Sequence, residues 1–158
     1  MTTSSWHLAQ LNIARLRQPI DHPDFAEFID ALEHINGLGE ASQGFVLRLH
    51  GDIAGGDPGD QFHWDRGDSH GVIWNLTVWT DFESLKAFAY QGEHKDYFRR
   101  RGEWFVRHPE ATTVLWWVPA GHQPDLPESD ERLRRLRADG PTPDAFTMTR
   151  RFAPPAEG

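Results

Sequence analysis

The chain has 158 residues and no cysteine, 38% of its residues are hydrophobic, and its formal net charge is -8. This length accommodates one domain, and the lack of cysteine excludes disulfides, thiolate catalysis and cysteine-bound zinc or iron–sulfur clusters. The negative charge argues against nucleic acid as the main partner. Because we find neither a signal-peptide pattern nor about 18 consecutive apolar residues, we expect a cytoplasmic protein without a membrane partner.

The first half of the chain predicts three strands and one helix. Apolar alternation favours strands over residues 6–13, 43–50 and 72–79. The helix begins at Asp21-His22-Pro23, where proline is tolerated in the first turn, and ends near Gly37 and Gly39. Residues 51–70 contain five glycines and five aspartates, which predicts a flexible loop.

The second half predicts helices, a fourth strand and an additional helix and strand. Thr80-Asp81-Phe82-Glu83 has the pattern of a capping box, with the threonine oxygen accepting an N–H at the helix start. Later comes a charged surface helix that Leu133 and Leu136 anchor. The remaining segments are predicted as a helix over 93–105, strands over 112–118 and 145–152, and a disordered tail over 153–158.

The resulting order, β-α-β-β-α-β followed by a helix and a strand, is that of a ferredoxin-like α+β fold. We therefore predict a single domain over residues 1–158, with an antiparallel sheet that carries two helices on one face. The other face would be open, and the chain has few elements to spare for it. A second copy packed sheet to sheet would cover it, so we expect a homodimer of the dimeric α/β-barrel type.

Several segments carry a resemblance to a known family. The stretches LAQLNIARLRQPIDHPDFAEF, NLTVW with DFESLKAFAY, KDYFRRRGEWF and VLWWVPAGHQP resemble a bacterial family catalogued as a domain of unknown function, number 3291. The resemblance covers roughly residues 6–152. It implies a relation to dimeric α/β-barrel proteins, which include cofactor-independent antibiotic-biosynthesis monooxygenases and some haem-binding enzymes. No defined catalytic residues come with this resemblance.

The strongest candidate site is a polar set on what we predict to be the open sheet face. Gln10 and Asn12 share a face of the first strand, while Asn75, Thr77 and Trp79 share a face of the third. The first and third strands are neighbours in a split βαβ sheet. The side-chain amides could satisfy one another at a dimer interface, or they could orient a ligand in an aromatic-walled cavity. Arg48 and Trp117 would extend the same face.

His94 is a second candidate because histidine exchanges protons near neutral pH. On the predicted helix it shares a face with Tyr97 and Arg101, and Trp104 lies further along. It could act as a general base or bind haem iron, or it could merely cap the helix or pack on Trp104. The neighbouring Arg99-Arg100-Arg101 cluster could be a solvated helix face or could bind a carboxylate or phosphate.

Other kinds of site lack support. His63, Asp65, Asp68 and His70 have no spacing that would hold a metal, and no phosphate-binding glycine motif occurs. Two functions for a small-molecule ligand remain open. One is a cofactor-independent monooxygenase-like enzyme acting on an aromatic or polyketide-like substrate, in which Asn12, Asn75 or Arg48 holds an enolate oxygen and His94 is the base. The alternative is a protein that binds haem or a hydrophobic ligand without turnover. No cofactor is expected in the first case, and haem is possible in the second.

Overall fold

The structure, a computed structural model, describes residues 5–19, 21–49, 72–90, 99–107 and 110–156. The described helices and strands follow one another as β1 (Trp6–Leu16), a 3-10 turn (Pro23–Phe25), α1 (Ala26–Glu40), β2 (Phe45–Arg48), β3 (Val72–Trp79), α2 (Phe82–Tyr90), a second 3-10 turn (Arg101–Glu103), β4 (Phe105–Val106), β5 (Thr113–Pro119) and α3 (Leu126–Asp139). No helix in these ranges is both long enough and apolar enough to cross a membrane.

The sheet is antiparallel and is built around β1. This strand pairs with β3 on one side and with β5 and the short β4 on the other, while β2 pairs with the outer edge of β3. The prediction that the first and third strands are neighbours is confirmed. The predicted ferredoxin-like α+β fold is confirmed as well.

The two faces of the sheet are covered by different helices. Ala9, Leu11 and Ile13 of β1 contribute to a core into which α3 inserts Leu133 and Leu136, and we call this side the α3 face. The alternate residues Leu8 and Leu16 lie on the opposite side, in clusters that include residues of α2 and the aromatic residues at the start of α1. We call this side the α1/α2 face.

The prediction of an open sheet face is wrong. Gln10, Asn12, Asn75 and Thr77 alternate with the residues of the α3 face and therefore lie on the α1/α2 face. The face that we expected a second copy to cover is instead packed against α3 of the same chain. The homodimer stays a prediction, but no uncovered sheet face supports it within the described residues.

Several predicted boundaries shift for local reasons. α1 runs through Gly37 and Gly39 and ends at Glu40. The cap of α2 is Asp81 rather than Thr80, because Asp81 Oδ1 accepts the backbone N–H of Ser84 at 2.7 Å. Burial alone would raise the pKa of Asp81, but the hydrogen bonds from Ser84 and Thr80 lower it.

Two predicted elements differ more strongly. Phe105 and Val106 form a strand against the end of β1 instead of ending a helix. The predicted last strand over 145–152 is reduced to isolated bridges, Leu115 with Phe146 and Thr142 with Ala145. The rest of that segment is irregular but packed, since Phe146, Met148 and Phe152 belong to the aromatic core beside α2. The predicted loop over 51–70 and residues 93–98 of the predicted helix lie outside the described residues.

Candidate functional site

A strip of polar side chains crosses the middle of the α1/α2 face. Gln10 pairs with Thr77 across the β1–β3 ladder, and Asn12 pairs with Asn75. Residues that pair directly in an antiparallel sheet project from the same face with neighbouring Cβ atoms. The four side chains, which we call the polar strip, are therefore adjacent, as the sequence predicts.

Hydrogen bonds order one half of the polar strip. The Trp79 indole Nε1–H donates to Thr77 Oγ1 at 3.0 Å, and Thr77 Oγ1 donates to Gln10 Oε1 at 2.9 Å. Thr77 and Trp79 are only 5% and 1% exposed, so this relay is shielded from water. It occupies the carbonyl oxygen of Gln10 and leaves its NH₂ group without a described protein partner.

The other half of the polar strip is more open. Asn12 is exposed, and its Oδ1 accepts a hydrogen bond from Thr113 Oγ1 at 3.3 Å. Asn75 is half-buried, and no described residue hydrogen-bonds to its carboxamide. Partly buried amides without protein partners are costly unless water or a ligand satisfies them. The polar strip can therefore offer hydrogen bonds to a bound molecule.

An aromatic cluster closes one end of the polar strip. Trp79 stacks on Phe88 of α2 with ring centroids 5.5 Å apart and meets Phe45 edge to face at 5.5 Å. Trp117 joins this cluster from β5, which confirms that it lies on the predicted face. Its indole N–H is already used, because Nε1 donates to the carbonyl oxygen of Phe152 at 2.8 Å.

A second aromatic cluster lies at the opposite end. Trp104 is 2% exposed and packs with Phe28 of α1 at a centroid distance of 5.3 Å. Ile73 joins this cluster from β3, two residues before Asn75 on the same strand face. Trp104 Nε1 donates to the carbonyl oxygen of Asp24 at 3.0 Å, which holds the ring against the start of α1.

Helix α1 spans the distance between the two aromatic clusters. Phe28 near its start belongs to the Trp104 cluster, while Gly39 near its end touches Phe88 of the Trp79 cluster. A Cβ atom at Gly39 would lie only 3.1 Å from the Phe88 ring, so the glycine permits this close approach. Ala31 and Ile35, which follow Phe28 at helical spacing, are buried. The site is thus a polar strip with an aromatic cluster at each end, and α1 contacts both clusters.

The remaining predicted site residues are placed differently. Arg48 pairs with Thr77 and shares its face, as predicted, but its guanidinium binds Glu40 at the end of α1 at 2.7 Å. Arg101 is exposed on the second 3-10 turn. Trp104 lies at the far end of the polar strip, beyond Ile73. His94 and Tyr97 lie outside the described residues, so their predicted roles stay untested.

A cluster of charged residues near the site, which we call the Arg100 cluster and which consists of Arg100, Glu27 and Glu103, was not predicted from the sequence. Arg100 donates to both oxygens of Glu27 at 2.5 and 2.8 Å and, through Nε, to Glu103 at 2.7 Å, while its guanidinium lies 4.9 Å from the Trp104 ring centroid. These hydrogen bonds lower the pKa of both carboxyl groups and raise that of Arg100. Residues 27 and 100 are far apart in sequence, so no local pattern could have revealed this pair. The three residues line part of an open cleft of about 430 Å³ beside Pro23 and Trp104.

For one arginine of the Arg99-Arg100-Arg101 cluster, the structure replaces both interpretations with ion pairs inside the chain. Arg100 is neither a free solvated charge nor an open anion site, because two carboxylates of the same chain occupy its guanidinium. It ties the start of α1 to the second 3-10 turn. We find no group of three or more potential metal ligands within the ranges that the structure describes.

Comparison with known proteins identifies one family and several similar structures. The profile of the family described as Domain of unknown function (DUF3291) matches residues 7–158. No curated protein matches the chain.

Three solved structures are similar to about three quarters of this chain. SnoaB, a cofactor-independent oxygenase from Streptomyces nogalater, is 13% identical with a TM-score of 0.45, covering 74% of this chain and 95% of its own. NE2512, a protein of unknown function from Nitrosomonas europaea, is 10% identical with a TM-score of 0.47, covering 77% and 97%. A Chloroflexus aurantiacus protein, provisionally described as an antibiotic biosynthesis monooxygenase, is 16% identical with a TM-score of 0.41, covering 76% and 98%. At such low identities and TM-scores, these likenesses do not extend to function.

Proposed function

The chain belongs to the family described as Domain of unknown function (DUF3291), and we propose that it binds a planar aromatic or polyketide-like molecule against the polar strip. The observation that carries this proposal is the pair of half-buried carboxamides, Gln10 and Asn75, which lie between two aromatic clusters and retain hydrogen-bonding groups that no described residue uses. A dry aromatic surface with a few oriented polar groups is typical of small-molecule sites.

The reaction that this arrangement suits best is oxygenation without a cofactor. A substrate such as anthrone loses a proton from its CH₂ group to give a delocalised enolate, which transfers electrons to O₂ and forms a C–O bond. Loss of water from the resulting hydroperoxide leaves the quinone, so that one anthrone and one O₂ give one anthraquinone and one water. Amide N–H groups from Asn75 or Gln10 would stabilise the negative oxygen of the enolate.

His94 is the base that the sequence predicts, and it lies outside the described residues. Nothing in the described residues favours the alternative of haem binding, for which His94 was also the predicted contact. We therefore propose oxygenation alone and assign the described residues to binding and charge stabilisation.

Anthrone turnover tests the proposal. We expect the protein to accelerate the formation of anthraquinone and the consumption of oxygen over buffer, with Asn75→Leu reducing the rate by about 10²-fold if its amide stabilises the enolate. Gln123→Leu is the control, because it removes an exposed amide from the segment after β5. Equal rates in the two variants would contradict the role of Asn75. The proposed function would be wrong if the protein neither oxidised anthrone nor retained any tricyclic aromatic molecule in native mass spectrometry.

A further inference from the structure

We infer that the polar strip selects ligands that present a hydrogen-bond acceptor, such as a ketone, enolate or phenolate oxygen, to the NH₂ group of Gln10. This inference rests on the proposed function, and it narrows the class of ligand. It follows from the direction of the hydrogen bonds that run from Trp79 through Thr77 to Gln10.

The direction of this relay is set by the indole ring. Trp79 Nε1–H can only donate, so Thr77 Oγ1 must accept from it. Thr77 is 5% exposed, and the partner found for its own hydroxyl proton is the Gln10 side chain at 2.9 Å. A buried hydroxyl proton without an acceptor is unfavourable, so the Gln10 oxygen rather than its nitrogen faces Thr77.

The orientation of Gln10 follows from this relay. With Oε1 turned toward Thr77, the two N–H groups of Gln10 point away from the relay, and no described residue accepts them. Asn12 is oriented in the same sense, since its Oδ1 accepts from Thr113 Oγ1. Both carboxamides of β1 therefore present donors. A ligand that offers only an N–H or C–H group at this position would leave them unpaired.

The structure therefore gives Trp79 and Thr77 a role as positioning residues. They need not touch the ligand, because they act by holding Gln10 in one of its two amide orientations. If either one loses its polar group, the Gln10 amide can rotate and offer its oxygen or its nitrogen equally well. The preference for an acceptor should then disappear.

The experiment compares xanthone with xanthene, two tricyclic molecules of the same outline of which only the first has a carbonyl group. Equilibrium dialysis should show about tenfold tighter binding of xanthone to the unmodified protein, as expected for one added hydrogen bond of ordinary strength. In Thr77→Val and in Trp79→Phe, this ratio should fall to near one, because xanthone loses the advantage of a hydrogen bond that xanthene never makes.

Trp116→Phe is the matched control. Trp116 is also fully buried and its indole also donates to a side-chain oxygen, Glu128 Oε2 at 2.9 Å, but it lies on the α3 face. We expect this variant to keep the xanthone preference.

The remaining outcomes test the relay, the acceptor preference and the proposed function separately. A ratio that stays near ten in Thr77→Val and Trp79→Phe, or that falls equally in Trp116→Phe, would overturn the role of the relay. Equal binding of the two tricycles to the unmodified protein would overturn the acceptor preference and leave the proposed ligand site intact. If neither tricycle binds, the proposed function itself fails.

Discussion

The two faces of the sheet are made by the same strands but have different compositions. On the α3 face, Leu11 of β1, Leu76 of β3 and Val114 of β5 are all 0% exposed, and the polar residues of β1 on this face, His7 and Arg15, lie only near the strand ends. On the α1/α2 face, the apolar residues separate into two clusters with the polar strip between them. The α3 face is therefore suited to stability alone, while the α1/α2 face gives up continuous packing where a ligand could bind.

The largest expected effect is a loss of stability, and it comes from a substitution on the α3 face. Leu133→Ala removes a fully buried side chain of α3, so we expect it to lower the free energy of unfolding by about 2–5 kcal/mol. The measurement is urea denaturation, and Leu38→Ala, at an exposed leucine of α1, should cost about 1 kcal/mol or less. Xanthone affinity per folded molecule should not change in Leu133→Ala. A marked loss of affinity would mean that the two faces are not separate in function.

A smaller change in stability should distinguish substitutions at two glycines of α1. Gly39→Leu places a side chain where a Cβ atom already meets the Phe88 ring at 3.1 Å, which should cost about 1–3 kcal/mol through overpacking. Gly37→Leu is the matched control, because nothing lies within 4 Å of a Cβ atom there, and leucine should stabilise the helix by up to about 1 kcal/mol. Thermal unfolding of both variants checks the comparison. Equal effects would show that α1 does not pack closely against α2 on this face.

The smallest effect is the pH dependence of the stability that the Arg100 cluster contributes. The hydrogen bonds from Arg100 lower the pKa of Glu27 and Glu103 below their ordinary value of 4.5. Both groups therefore contribute stability above that value, and this contribution is lost as the pH falls through their lowered folded-state pKa values. The stability difference between the unmodified protein and Arg100→Met should be present at neutral pH and should shrink in acid.

Urea denaturation between neutral pH and pH about 3 measures this change. Arg99→Met is the control, since Arg99 is exposed and no ion pair is found for it among the described residues. Because the Arg100 cluster is largely exposed, added salt should also reduce the difference. A difference that is independent of pH would mean that Arg100 acts through packing on Trp104 rather than through its charge.

Much of the candidate site could be predicted from local patterns. Strand alternation placed Gln10 with Asn12 and Asn75 with Thr77, and the split βαβ order made the two strands neighbours. The same alternation placed Arg48 and Trp117 on that face. It could not show that Glu40 already binds Arg48 or that the Phe152 carbonyl already accepts the Trp117 indole N–H, because both partners come from other elements.

The sequence by itself determined which residues share a strand face, because side chains alternate with a period of two in any strand. It also determined the order of the main elements and, through the resemblance, the family. Only the tertiary structure decided which helices cover which face, since α3 could have packed elsewhere without changing any local pattern. The same holds for the direction of the Trp79–Thr77–Gln10 relay, since the orientation of an amide depends on which groups surround it in the folded chain.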